Sequence, residues 1–228
     1  MGWFFGGVLT LYGITLGLVT VATWGTYTAV GDVASAEAAA LTALYRDADG
    51  YPEPTRSAVR RQVCDYTLHV VRVAWPAQRL GRRNAEGDAR VTALQQVLVR
   101  FQPADLGEQA VHAEALRQFN AVVEHRRRRA ESVAASIPGV LWAVVLCGAA
   151  LVVALSYTFP VARYAEHAWL TGVVTATMAL LIFVIAALDH PYRGQVRVRP
   201  DAYQLVLDHV MAADVPPGPA GAPPAGTR

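Results

Sequence analysis

The chain holds 228 residues, 54% of them hydrophobic and only 17% charged, with a mean hydropathy of +0.27. That apolar surplus exceeds what an aqueous domain of this length needs, so most of it is expected in lipid. All twenty basic residues are arginine, which excludes Schiff-base, P-loop and other lysine-dependent chemistry, and a net charge of +2 gives no case for nucleic acid.

In chain order, the first candidate span is Trp3 to Trp24, free of charge and, at about 1.5 Å per residue, long enough to cross about 30 Å of hydrocarbon. A cleaved signal ending at Ala34-Ser35-Ala36 is the alternative. Against it, no positive residue precedes the run, the run is too long for a signal core, and the cleavage site lies well past its end. Within this retained span Thr10, Gly13, Gly17, Thr20 and Trp24 recur at steps of three and four and make one face small and polar. It reads either as a pore-lining stripe or as a helix-packing groove in which Gly13 and Gly17 let backbones approach.

The alanine-rich run Asp32 to Tyr45 predicts that this helix continues past the membrane surface until Gly50, Pro52 and Pro54 end it. From Thr55, the positions Val59, Val63, Tyr66, Val70 and Val73 form an apolar helical stripe closed by Pro76. After a polar turn over Gly81 to Gly87, Val91, Leu94, Val97 and Phe101 form a second, ending at Pro103. A third helix opens near Asp105 and runs through Leu116, Phe119 and Val123 into Arg126, Arg127, Arg128 and Arg129. No stop signal precedes Pro138, so one long helix is expected to enter the second span, bent at that proline.

The second span, Ile137 to Phe159, and the third, about Trp169 to Leu188, are also charge-free. Each is expected to be helical, because lipid leaves backbone polar groups no other partner. Trp3, Trp24, Tyr27, Trp142, Tyr157, Trp169 and Tyr192 mark the span ends as interfacial aromatics do. The arginine quartet precedes the second span and Arg193, Arg197 and Arg199 follow the third, whereas the connection between them carries Arg163 alone. The positive-inside rule then places residues 27–136 and the C-terminal tail in the cytoplasm and the loop 160–168 and the N-terminus outside. The expected organisation is a first span (1–26), a cytosolic helical region (27–136), a two-span hairpin (137–190), a cytosolic turn and short helix (191–213, helical near Asp201 to Met211) and a disordered tail (214–228). This is an all-α, multi-pass protein of the inner (plasma) membrane with its polar bulk cytoplasmic.

Three further sets of residues bear on function. Arg126, Arg127, Arg128 and Arg129 set topology and attract anionic lipid, each by about 1 kcal/mol, or they ring a cytoplasmic vestibule in an oligomer. Asp189 opens a turn with Pro191, Tyr192 and Gly194; its carboxylate is expected to take the amides of Tyr192 and Gly194 in an Asx-type cap, with gating or ion binding as the alternative. Glu166 and His167 form either a pH-responsive outer mouth or an ordinary exposed pair. The six histidines show no metal-ligand spacing, Cys64 and Cys147 lie in different environments and should not pair, and no serine elbow or nucleotide fingerprint occurs. No catalytic residue, metal or cofactor is expected, and the enzyme reading falls.

Tyr12-Gly13 followed by Leu16-Gly17, the helix ending in Arg126 to Arg129, then Ile137-Pro138 with Leu141-Trp142, and above all Leu188-Asp189-His190-Pro191-Tyr192-Arg193-Gly194, resemble the bacterial bestrophin-like family. That family is a domain of unknown function linked distantly to bestrophins, and the resemblance covers nearly the whole chain. It implies a four-span subunit with cytosolic helices between the middle spans, assembled as a homo-oligomeric ring with an anion pathway down its axis, lined by the first span. A further N-terminal span is usual in the family, so either one is missing from this chain or the fold does without it. The competing expectation is a non-conducting membrane anchor whose cytosolic bundle binds a protein partner or anionic lipid.

Overall fold

The computed structural model describes residues 2–82, 86–133, 136–158, 164–192 and 196–215, and among these every regular element is a helix. Two compact units emerge, one from Met1–Asp32 and Glu131–Arg199, the other from Val33–Ala130 and Pro200–Arg228. Helix α1 (Gly2–Asp47) contributes to both and ends in a short 3-10 turn, Ala48–Gly50.

The first unit contains three helices long and apolar enough to cross a membrane: the N-terminal part of α1, α6 (Gly139–Ser156) and α7 (Tyr164–Leu188). Their shared core is Tyr12, Leu16, Val145, Val152, Met178 and Ile185. Outward-facing chains are as apolar as the core, with Leu18 67% and Phe183 68% exposed. In water such a belt would be a large unpaired patch; against acyl chains it costs nothing. Thr10, Thr15, Thr20, Thr23 and Thr26 each donate their hydroxyl to the carbonyl four residues back, which satisfies a polar group inside an apolar helix. The Tyr12 hydroxyl donates to the Val145 carbonyl at 2.6 Å, and its ring lies on Gly148, where a Cβ would come within 2.3 Å of ring carbon Cε2. Only glycine admits that approach.

The expected long helix through Pro138 does not form. Helix α5 (Leu106–Ser132) stops at Ser132, and α6 starts at Gly139 from a Pro138 whose ψ of 138° is extended. A proline disfavours helical backbone at the residue before it, and the Ile137 amide finds another acceptor in the Asp189 carboxylate, so breaking the helix leaves that donor paired.

In the second unit, α2 (Thr55–His69) packs along α4 (Glu86–Arg100). Val59, Val63, Tyr66 and Val70 are buried as the sequence stripe predicts, but Val73 is 41% exposed and Pro76 does not close the helix. The cause is a π-helical turn, Val70–Ala74, in which the Trp75 amide bonds the Val70 carbonyl five residues back. The wider turn advances the buried face to Ala74 and Trp75 and makes room for Pro76 within α3 (Trp75–Arg79). Gly81, at φ 71°, then terminates that helix, with its amide and that of Arg82 bonding the carbonyls of Gln78 and Ala77. Helix α5 is capped by Asp105, whose carboxylate accepts the Glu108 amide while the Glu108 carboxylate accepts that of Ala104. Its buried face is Ala115, Phe119 and Val122; Leu116 is only half-buried and Val123 is exposed.

Helix α8 (Asp201–His209) packs against α2 and the π-helical turn. Asp214 and Val215, which composition assigns to a disordered tail, are docked. Their amides bond the Met211 carbonyl at 2.9 and 3.1 Å, the Asp214 carboxylate accepts the Tyr45 hydroxyl, and the Cys64 thiol lies 3.6 Å from the Asp214 carbonyl. The rest of that tail, 216–228, lies outside the described residues. Cys64 is a buried free thiol and Cys147 an exposed one.

Candidate functional site

Thr10, Gly13, Gly17 and Thr20 lie on one side of α1, the first three exposed and Thr20 half-buried. At about 100° per residue, this stripe sits roughly a quarter turn from the buried face of Tyr12, Leu16 and Thr23, and the bulky face of Leu11, Ile14, Leu18 and Val21 lies opposite the buried one. A Cβ at Gly13 or Gly17 would meet nothing within 4 Å, so among the described residues no other helix packs onto the stripe at these glycines. Its threonine protons are held by backbone carbonyls, and what the stripe presents outward is glycine backbone, methyl groups and hydroxyl lone pairs.

Asp189 is 7% exposed. Its carboxylate reaches away from its own turn: Oδ1 accepts the Ile137 amide at 2.6 Å, and Oδ2 accepts the Trp142 indole N–H at 3.2 Å and lies 3.4 Å from His190 Nδ1. It therefore ties the start of α6 to the end of α7. The Asx-type cap expected with Tyr192 and Gly194 extends beyond the described residues, while the described bond to Ile137 reaches a donor that the break before Pro138 exposes. The Pro191 carbonyl accepts the Val198 amide at 2.8 Å, and the Tyr192 hydroxyl lies 2.8 Å from that of Ser132. Gly194 lies outside the described residues.

The arginine run divides by helix phase. Arg126 and Arg129 continue the Ala115, Phe119, Val122 face, and their side chains are 20% and 3% exposed; Arg127 and Arg128, at 66% and 56%, face away. Arg126 pairs with Asp88 at 2.7 Å, and Arg127 and Arg128 share Glu124 at 3.4 and 2.8 Å. Arg129 grips the fully buried Glu37 with Nε and a second guanidinium nitrogen, at 2.8 and 3.2 Å. Each of the four is thus matched to a carboxylate, so the run is not a block of bare positive charge.

Glu37 is not among the residues that motifs or charge runs single out. It also accepts the Tyr66 hydroxyl at 2.6 Å, and the Arg129 guanidinium lies 6.0 and 5.9 Å from the rings of Trp75 and Tyr203. Burial, then the Glu37 charge, pushes the hydroxyls of Tyr66 and Tyr203 far above the ordinary phenol value, so both stay protonated. Burial opposes the Arg129 charge, but Glu37 together with Tyr203 and Tyr66 outweighs it and raises its pKa. A signal for Glu37 exists in α1: Val30, Ala34, Glu37, Leu41 and Leu44 recur at steps of four and three, which puts a carboxylate on an apolar face where only a buried partner can hold it.

Three membrane-length helices around a lipid-compatible core, with a polar helical unit besides, define a helical membrane protein. A family model described as the bestrophin-like domain matches residues 1–203, and the chain belongs to the bestrophin-like family. No curated protein and no solved structure matches it.

Proposed function

We propose that the chain is a subunit of a homo-oligomeric ion channel, selective for anions, in the inner membrane, with the second unit and the C-terminal segment in the cytoplasm. The observation that carries this reading is the stripe on α1. Its glycines have no partner among the described residues, lie beside the core face and differ in shape from the bulky outward-facing side, so neighbouring subunits or a conduction path are the natural occupants. Membership of the bestrophin-like family supports this reading only through the family's distant link to bestrophins, from which the ring and the anion pathway are carried over. Because the threonine protons are committed, anions passing the stripe would meet few donors there, and selectivity would rest on other groups; the arginine run, matched to Asp88, Glu124 and Glu37, is a weak source of it.

The test is reconstitution. Purified protein should form a ring of several subunits by mass photometry and release chloride from liposomes. Gly17→Leu should lower flux or change subunit number while leaving helicity unaltered, because nothing among the described residues opposes the new side chain. A monomer without conductance would sink the proposal and leave the membrane anchor, with a protein or anionic-lipid partner for its helical unit, as the reading.

A further inference from the structure

Within the first unit a crevice of about 380 Å³ opens where α6 begins and α7 ends, bounded by α1 from Leu18 to Thr26, by Ser136 to Pro138 with Leu141, and by Asp189. Most of its wall is apolar, and its polar side chains are Thr23, Thr26, Ser136 and Asp189. The hydroxyl protons of Thr23 and Thr26 are spent on the carbonyls of Val19 and Ala22 at 2.7 and 3.2 Å, which leaves lone pairs. Asp189 adds a carboxylate. Among the described residues its partners are the Ile137 amide, the Trp142 indole and His190, that is, two neutral donors and an imidazole. Neutral donors orient a buried negative charge without cancelling it, and an ionised group at a membrane boundary is stabilised by a countercharge.

The missing ligand chemistry follows from these constraints. A carboxylate beside hydroxyl oxygens calls for a cation rich in N–H groups; apolar walls call for hydrocarbon on the same molecule. A metal ion is a poor fit, because among the described residues no three histidine, cysteine or carboxylate side chains cluster. A primary ammonium offers three donors in a compact charge, and a membrane lipid brings its own apolar stem to this depth. The geometry points to a site for a lipid with a primary-ammonium headgroup, the ammonium on Asp189 and the stem against Leu18 and Leu141. This site is independent of whether the protein conducts.

Native mass spectrometry of the purified full chain tests it, with phosphatidylethanolamine, its N-trimethylated counterpart phosphatidylcholine, and phosphatidylglycerol offered at equal concentration. Phosphatidylethanolamine should be retained about tenfold more than either other lipid. Asp189→Asn should abolish that preference. Because this substitution also weakens the cap on α6, Ala22→Trp serves as the second variant: it fills the crevice, leaves the carboxylate in place and should lose the same preference with helicity intact. Equal retention of the three lipids, or a preference that survives both substitutions, overturns the site. Displacement of the lipid by millimolar ethanolamine overturns the lipid assignment in favour of a free amine.

Discussion

Two of the best-defined side chains in the protein have no role at the stripe or the turn. Glu37 and Arg129 form a bidentate pair away from solvent, closed over by Tyr66, Trp75 and Tyr203. Removing one member leaves an uncompensated buried charge, which costs about 3–5 kcal/mol, whereas replacing both by apolar residues of similar volume is close to neutral. Glu37→Leu and Arg129→Met should each lower the thermal unfolding midpoint in detergent sharply, and the double variant should recover most of the loss. A double variant no better than the singles would mean that the pair acts through something other than its charge balance. Two glycines in the first unit should respond in opposite senses to alanine. Gly148→Ala drives a methyl group into the Tyr12 ring and should destabilise by about 1–3 kcal/mol, while Gly17→Ala meets open space and improves helix propensity by up to about 1 kcal/mol. Unfolding of the two variants side by side decides it, and a loss of similar size in both would be evidence against the Tyr12 contact.

Elements that one residue type or one solvent dictates are legible in the amino-acid sequence itself. The three long apolar helices follow from the absence of water as a hydrogen-bond partner, α2 follows from apolar periodicity, and α5 from periodicity together with its cap. Contacts between distant positions, such as Asp189 with Ile137 or Glu37 with Arg129, are not legible there, because periodicity reports a face and not its partner. The π-helical turn is hidden for a related reason: its widened register is chosen by what Trp75 packs against, and local propensity carries no trace of that. His69, the last residue of α2 before that turn, gives the element a measurable pH response. Burial, followed by Arg90 and with Arg126 acting in the same sense, holds its imidazole below the ordinary 6.5, outweighing Glu86 and Asp65. The unfolded chain therefore takes the proton first as pH falls. The contribution of His69 is whole above about pH 6.5 and diminishes as pH drops below it. His69→Gln should flatten the change in unfolding midpoint between pH 7 and pH 5, and an unchanged slope would place the titrating group elsewhere.

For the whole molecule, the proposed cytoplasmic placement of the polar unit rests on arginine placement alone. Arg126 to Arg129 precede α6 and Arg197 and Arg199 follow α7, both at span ends that the positive-inside rule assigns to the cytoplasm, and the pairing of the quartet with Glu37, Asp88 and Glu124 does not weaken this assignment because acidic residues count for little in that rule. With Cys64 and Cys147 replaced by serine, a single cysteine at Arg82 should resist a membrane-impermeant maleimide in intact cells and react in inverted vesicles, and one at His167 should do the reverse. Labelling of position 82 from the outside would reverse the topology and move the second unit, with its buried ion pair, to the other face of the membrane.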